Sequence, residues 1–226
     1  MSKISLLRKA PLFANLPEEQ LEALVVDLGR RTFAKGMIIF HKGSLGQNLY
    51  LIESGIVRIF ILGESGNELT MNVFGPGDSF GELSMLDGFP RSAGAIAMEK
   101  TVTYTLHRDD FLRNIDDSPL LARSVLAVLS ERLRYTTILA ESYAFMDAYT
   151  RVAAKLIELG ERYGVENEGI EIDLRLTQTE LASWVAVSRE STNKVLGAFR
   201  DQGMIRIDGG KIVIQDFKSL QRLVVY

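Results

Sequence analysis

The sequence predicts an α+β protein in which a sandwich or barrel of short strands comes first, a long helix follows, and a small helical domain closes the chain. Between residues 30 and 107, short segments rich in β-branched and aromatic residues alternate with glycine-containing turns, which is typical of a sandwich or barrel. Beyond residue 107 the chain carries proline and Asp/Ser signals for helix starts, and apolar residues recur at helical spacing.

Each predicted element has a local signal. Two short helices are expected from about Ser5 to Leu28, divided at Asn15-Leu16-Pro17, because proline favours the first turn of a helix. Strands are predicted at 37–40, 49–52, 56–61, 69–74, 93–98, 101–107 and 170–172. Helices are predicted to begin at 108, to extend from 117 to about 145, and to extend from 149 to 163.

Length and composition favour two domains and exclude several kinds of site. The 226 residues are 46% hydrophobic, which is enough apolar material for two cores. We expect a first domain at 1–116, a long helix at 117–146 and a second domain at 147–226. Zero cysteines exclude disulfides, zinc-thiolate sites and cysteine-ligated iron-sulfur clusters. His41 and His107 are the only histidines, so neither a metal nor a haem is expected. No apolar run is long enough to span a membrane, and a cytoplasmic protein is expected.

One loop concentrates groups that suit a small phosphate ester. Gly81 allows the backbone to approach a ligand, and the amides of Leu83 and Ser84 open a short helical turn that favours an anion. Glu82 can accept hydrogen bonds from a sugar hydroxyl. The remaining donors are the planar fork of Arg91 and the hydroxyl of Ser92, both suited to phosphate oxygens. The alternative is a polar surface loop in which the glutamate and the arginine merely pair.

A second motif has the pattern of a DNA-reading helix pair. Thr177 with Glu180 three residues later forms a capping box, and Ser188 caps the next helix. Net charge is −3, yet the segment from Ser188 to Arg200 holds three basic residues against one acidic residue. An arginine side chain can donate two hydrogen bonds to O6 and N7 of guanine, and a glutamate carboxylate can accept one from N4 of cytosine. The candidate DNA contacts are Thr177, Gln178, Ser188, Arg189, Glu190, Ser191, Asn193 and Lys194.

These two motifs together resemble the cyclic-AMP receptor protein and FNR (CRP/FNR) superfamily of bacterial transcription regulators. Phe80-Gly81-Glu82-Leu83 with Arg91-Ser92-Ala93 resembles its phosphate-binding cassette, and Ser188-Arg189-Glu190 resembles its recognition-helix signature. The resemblance implies an N-terminal cyclic-nucleotide-binding jelly roll, a long dimerisation helix and a C-terminal winged helix-turn-helix. It departs at Ala186, where the family usually has glycine in the turn, and alanine at positive φ costs about 1 kcal/mol.

The long helix carries a predicted coiled-coil seam. Alternating three- and four-residue steps join Leu126, Leu129, Leu133, Thr136, Ala140 and Tyr143. The alternative is a helix packed on its own barrel, and a second face of Val125, Val128 and Leu139 allows both contacts. The resemblance implies a parallel homodimer in which Thr136 of one chain and Thr137 of the other bind the purine of cyclic AMP.

The sequence therefore predicts a homodimeric, cyclic-AMP-responsive regulator that binds a palindromic double-stranded DNA operator, with RNA polymerase as a further expected partner and no enzymatic activity. A regulator of the same family with another effector, or with none, is the nearest alternative. A cupin-like metal enzyme would need a close pair of histidines, which the barrel region lacks. A cyclic-nucleotide-binding adaptor without DNA contact is disfavoured by Arg189 and Glu190.

Overall fold

The computed structural model describes residues 2–63, 66–166, 168–173 and 177–224. The chain divides into two compact units. The first comprises Met1–Leu62 and Met71–Thr136, and the second comprises Gly63–Thr70 and Thr137–Tyr226. Within the described residues, no helix is both long and apolar enough to cross a membrane.

The first unit is built on two four-stranded sheets, as the glycine-punctuated strand pattern predicts. Their strands are β1 (Gly29–Phe33), β2 (Ile38–Phe40), β3 (Asn48–Ser54), β4 (Val57–Leu62), β5 (Glu68–Phe74), β6 (Ser79–Phe80), β7 (Gly94–Ala97) and β8 (Thr101–His107). One sheet has the order β1-β8-β3-β6 and the other β2-β7-β4-β5. The sequence does not predict strand β6, because two residues are too few to show the alternation of apolar and polar side chains that marks a strand. It pairs with β3 through Tyr50 and Phe80, directly before Gly81.

Aromatic rings fill the space between the two sheets. Tyr50 and Phe80 stack with ring centroids 4.9 Å apart, and Phe40 lies 5.8 Å from Tyr50 and 6.0 Å from Phe80. Tyr50 and Phe80 are buried with Phe33, Ile52 and other apolar side chains. This rigid aromatic cluster supports the backbone at Gly81, so the loop after β6 starts from a fixed position.

Helices cover the outside of the first sheet and form a second core. These are α1 (Lys3–Lys9), α2 (Glu18–Asp27), α3 (Leu83–Asp87), α4 (Arg108–Asp117) and α5 (Pro119–Phe145). The long helix predicted from 117 to about 145 is confirmed; it begins at Pro119, two residues later than predicted, because Asp117 still belongs to α4, and it ends at Phe145. At 1.5 Å per residue its 27 residues extend for about 40 Å.

The long helix presents two apolar faces with different surroundings. Val125 and Val128 are buried in the core formed with α1, α2 and α4, as expected for the second face. Leu126 and Leu133 on the predicted seam are 64% and 69% exposed. Leu129 is partly buried against the same core. The helix therefore packs on its own domain and still offers an apolar stripe.

The second unit combines helices with a small antiparallel sheet. Its elements are α6 (Ala148–Tyr163), β9 (Gly164–Glu166), β10 (Ile170–Ile172), α7 (Gln178–Trp184), α8 (Arg189–Asp201), β11 (Ile205–Asp208), β12 (Lys211–Ile214) and α9 (Phe217–Val224). The sheet order is β11-β12-β10-β9. The predicted strand at 170–172 is confirmed, whereas the exposed and polar strand β9 is not signalled by apolar residues.

Asp147 connects the long helix to α6, as the sequence predicts. Its carboxylate accepts a hydrogen bond of 2.8 Å from the amide of Thr150, which caps α6. Hydrogen bonds from Thr150 hold the pKa of Asp147 below its ordinary value, so the cap stays ionised near neutral pH.

Candidate ligand cavity and nucleic-acid interface

A cavity of about 280 Å³ lies in the first unit between β4, β5, the loop after β6 and helix α5. Its wall includes the predicted cassette residues Gly81, Glu82, Leu83, Ser84, Arg91 and Ser92. The same wall includes Thr136 of α5. The structure therefore brings together residues that lie as far as 55 positions apart in the sequence, and their chemistry can act on one small molecule.

Arg91 is buried and fixed in the wall of the cavity. The side chain is 5% exposed. Its Nη1 donates to the carbonyl of Gly81 at 2.6 Å and to Ser84 Oγ at 2.9 Å, and its Nη2 donates to the carbonyl of Asn48 at 2.7 Å. The guanidinium also lies 4.2 Å from the ring centre of Phe40. Burial lowers the pKa of Arg91, which is the signature of a desolvated cation that an anion would stabilise.

Glu82 forms an ion pair with a residue that the sequence prediction missed. Its carboxylate contacts the guanidinium of Arg132 on α5, and the two side chains are 5% and 24% exposed. Arg132 Nη2 also donates to the carbonyl of Ser79 at 2.5 Å, and its guanidinium covers the ring of Phe74 at 4.9 Å. The alternative of a surface pair between Glu82 and Arg91 is wrong, because both residues are buried and the ion pair of Glu82 is with Arg132.

Backbone geometry explains why glycines occupy two positions near Arg91. Gly81 has φ +86°, and a Cβ there would lie 2.6 Å from Arg91 Nη1. A Cβ at Gly46 would lie 2.1 Å from Ser84 Oγ and 2.8 Å from Arg91 Cζ. Gly46 was not among the predicted site residues because it precedes Arg91 by 45 positions. Both glycines allow the backbone to close around the guanidinium.

The two threonines of α5 occupy different places. Thr136 lines the cavity, and its Oγ1 donates to the carbonyl of Arg132 at 2.9 Å. Thr137 is exposed and is not part of the cavity wall. Arg132 lies one helical turn before Thr136, so this spacing is the sequence signal that could have identified the missed arginine.

The two capped helices of the second unit form as predicted. Thr177 Oγ1 accepts from the amide of Glu180 at 3.1 Å, and Glu180 Oε2 accepts from the amide of Thr177 at 2.7 Å. Ser188 Oγ accepts from the amide of Ser191 at 3.1 Å, which starts α8. Leu196 and Phe199 anchor α8 by burial at 3% and 0% exposure.

The polar residues predicted to contact DNA lie mostly on exposed surfaces. Thr177, Gln178, Ser188, Arg189, Glu190 and Lys194 are exposed, while Ser191 and Asn193 are half-buried. Lys194 Nζ lies 2.8 Å from Glu190 Oε1, one turn away on the same face of α8. The start of α8 therefore carries a cation, a carboxylate and amide groups, which is the set needed to read base edges.

The turn between these helices retains the backbone conformation that glycine favours. Ala186 has φ +50°. Because this conformation is strained for alanine, we expect Ala186→Gly to raise the free energy of unfolding by about 1 kcal/mol. Chemical denaturation followed through the fluorescence of Trp184, the single tryptophan, measures this change. Ala198→Gly inside α8 is the matched control and should lower stability by about 1 kcal/mol. If Ala186→Gly lowered the free energy of unfolding as much as Ala198→Gly does, the backbone at Ala186 would not be strained.

Within the part of the chain that the structure describes, no three or more His, Asp or Glu side chains form a group that could hold a metal ion.

Comparison with known proteins assigns both units. Residues 30–118 match the cyclic nucleotide-binding domain family, and residues 150–223 match the Crp-like helix-turn-helix domain family. The chain is 35% identical over 217 residues to a cyclic AMP receptor protein of Thermus thermophilus, covering 96% of this chain and 98% of that protein. It is 34% identical over 218 residues to a CRP-like cAMP-activated global transcriptional regulator of Mycobacterium tuberculosis, covering 96% and 97%.

A solved structure supports the same assignment. A CRP/FNR-family transcriptional regulator from Thermus thermophilus superimposes with a TM-score of 0.73 at 31% identity, covering 87% of this chain and 98% of that one. A cyclic nucleotide-binding domain followed by a helix-turn-helix defines a DNA-binding transcription regulator rather than an enzyme. The chain belongs to the CRP/FNR family of transcription regulators. Regulators of this family bind DNA and act as dimers.

Proposed function

We propose that this regulator is activated by cyclic AMP and binds palindromic DNA as a homodimer. The observation that carries the proposal is the cavity in which the buried Arg91 and the buried Glu82 face Thr136 of α5. In this proposal residues 1–116 bind the nucleotide, residues 117–146 form the dimer and residues 147–226 bind DNA. RNA polymerase is the expected partner at the promoter.

The part of the cavity at Arg91 and Glu82 suits a cyclic phosphate joined to a ribose. Arg91 supplies a buried cation, and the amides that open α3 at Leu83 and Ser84 add partial positive charge. Ser92 lines the cavity and supplies a hydroxyl donor. Glu82 repels phosphate but accepts hydrogen bonds from a ribose hydroxyl, and the ion pair with Arg132 holds its carboxylate in place. This arrangement orients the ligand with its phosphate toward Arg91.

The part of the cavity at Thr136 favours adenine over guanine. The hydroxyl hydrogen of Thr136 is committed to the carbonyl of Arg132, so its oxygen is left as an acceptor. The six-amino group of adenine donates to such an acceptor, whereas the six-carbonyl of guanine would need a donor. Apolar side chains including Ile59, Ile61 and Met71 also line the cavity and suit the faces of a purine.

The heptad pattern of α5 explains how a second chain would complete the site. With Leu133 at position a and Thr136 at position d, Arg132 takes position g and Thr137 takes position e. In a parallel coiled coil, position g of one helix lies beside position e of the other. Arg132 lines the cavity, so Thr137 of the partner subunit would lie at its mouth. The exposed leucines at 126 and 133 supply the apolar seam.

The linkage between cyclic AMP and operator DNA tests the proposal. Because ligand contacts from both subunits favour one arrangement of the two α5 helices, cyclic AMP should raise operator affinity, and operator should raise cyclic AMP affinity by the same factor. We expect a coupling of about 1–3 kcal/mol, or roughly 5- to 150-fold. Calorimetric titration of the purified protein with cyclic AMP and cyclic GMP, each with and without operator, measures both the effector and the coupling.

The threonine pair provides the decisive variant. Replacing Thr136 and Thr137 together by valine keeps the side-chain shape and removes both hydroxyls. The coupling free energy between cyclic AMP and operator should therefore fall by more than the free energy of dimerisation does. Ser130→Ala is the control, because its hydroxyl bonds only the carbonyl of Leu126 among the described contacts of α5. Absence of coupling in the parent, or full coupling in the double variant, would refute the switch. Preference for cyclic GMP would refute the adenine assignment.

A further inference from the structure

The hydroxyl oxygen of Ser84 is engaged by Arg91. The side chain is 3% exposed, and its Oγ accepts a buried hydrogen bond of 2.9 Å from Arg91 Nη1. We propose that Ser84 is a positioning residue, whose hydroxyl fixes the guanidinium of Arg91 so that one edge of it faces the phosphate. This inference rests on the proposed function, because it names how the phosphate end of the same cavity is held ready.

Two of the five N–H donors of Arg91 remain available to a ligand. A guanidinium carries five N–H donors. Three of them bond protein acceptors, namely the carbonyl of Gly81, Ser84 Oγ and the carbonyl of Asn48. The Nε–H and one N–H of Nη2 are left, and Nε is buried without a hydrogen-bond partner among the described residues. Unpaired buried donors are costly, so in this proposal these are the donors that an anion with two acceptor oxygens satisfies on binding.

Among these three acceptors, Ser84 is the only one that belongs to a side chain. The two carbonyls are parts of the backbone, whereas the hydroxyl can be removed by substitution. Gly46 packs so closely that a Cβ there would lie 2.1 Å from Ser84 Oγ. The hydroxyl therefore has little room to turn elsewhere. Without it, one Nη1 hydrogen loses its acceptor, and the guanidinium can rotate away from the orientation that presents Nε.

A double-mutant cycle separates positioning from direct contact. Ser84→Ala should weaken cyclic AMP binding about tenfold in the parent and have no further effect in Arg91→Ala, because Ser84 acts only through Arg91. Ser130→Ala is the control, since its hydroxyl bonds the carbonyl of Leu126 and the residue lies outside the cavity wall, and it should leave affinity unchanged. A tenfold loss in both backgrounds would show direct ligand contact and overturn the proposal. No loss in the parent background would overturn it as well.

The Nε–H resonance of Arg91 gives a readout that needs no ligand. In nitrogen-15 spectra of the parent we expect a sharp signal that exchanges slowly with water, assigned by its loss in Arg91→Ala. In Ser84→Ala it should broaden or exchange at least tenfold faster. An unchanged signal would overturn the positioning role. If the parent binds no cyclic nucleotide in the calorimetric titration, the proposed function fails, while the spectrum still decides whether Ser84 holds Arg91.

Discussion

Arg91→Ala is expected to weaken cyclic AMP binding about ten- to a hundredfold, measured by calorimetry. The physical reason is that a hydrogen bond to a charged group contributes roughly 1.5–3 kcal/mol, and the phosphate would lose its buried cation. Arg91 also satisfies the carbonyls of Gly81 and Asn48, so truncation should lower the free energy of unfolding by about 1–3 kcal/mol. Glu82→Ala should likewise weaken binding, because the ribose hydroxyl loses its acceptor.

Two comparisons make this result interpretable. Arg30→Ala is the matched control, because Arg30 is an exposed arginine whose partner Glu53 lies outside the cavity wall, and cyclic AMP affinity should not change. Arg91→Lys keeps the charge but cannot satisfy three acceptors and an anion together, so it should recover only part of the lost affinity. Affinity is measured below the unfolding temperature of each variant. Parental affinity in Arg91→Ala would show that the phosphate binds elsewhere.

Local sequence signals predicted most elements of this protein, because those signals act over a few residues, but strand β1 and helix α9 were not among them. The predicted cassette residues line one cavity, and their roles stay predictions. Proline at 119 and the capping serine at 188 mark helix starts that the structure retains. The contacts that the sequence did not reveal join distant segments. The pair of Glu82 with Arg132 spans 50 positions, and its formation depends on how α5 packs against the first unit.

Two further differences have physical causes. The two-residue strand β6 is too short for an apolar period, and the three-residue strand β9 is exposed throughout, so neither has a local signal. Both form because neighbouring strands offer partners. Ser84 was predicted for its amide, yet its hydroxyl is used by Arg91, and this could not be known without the position of Gly46. At Ala186 the turn tolerates a strained residue instead of changing its backbone. Tertiary packing therefore determines which side chains contact one another in the site, whereas local sequence signals indicate where along the chain the site lies.

The second large effect is expected at the DNA half-site. If Glu190 accepts from cytosine and Arg189 donates to guanine, each inverted half-site should carry a critical G·C pair, with half-site centres about 34 Å apart. The ion pair of 2.8 Å between Glu190 and Lys194 holds the carboxylate on the exposed first turns of α8. Replacing the G·C pair should cost about 1–3 kcal/mol per half-site in the parent, so a doubly substituted operator loses roughly twice that amount.

A cycle between the base pair and Glu190 decides whether the readout is direct. In Glu190→Ala the penalty for replacing the G·C pair should fall well below its parental value, because the contact that distinguished the pairs is already absent. Asp201→Ala is the matched control, since this exposed carboxylate lies at the far end of α8 and should leave the penalty unchanged. Fluorescence anisotropy with labelled operators at fixed salt and saturating cyclic AMP measures the affinities of the three proteins for both operators. Equal base-pair penalties in parent and Glu190→Ala would refute direct readout, and specificity would then have to come from Arg189 or from DNA shape.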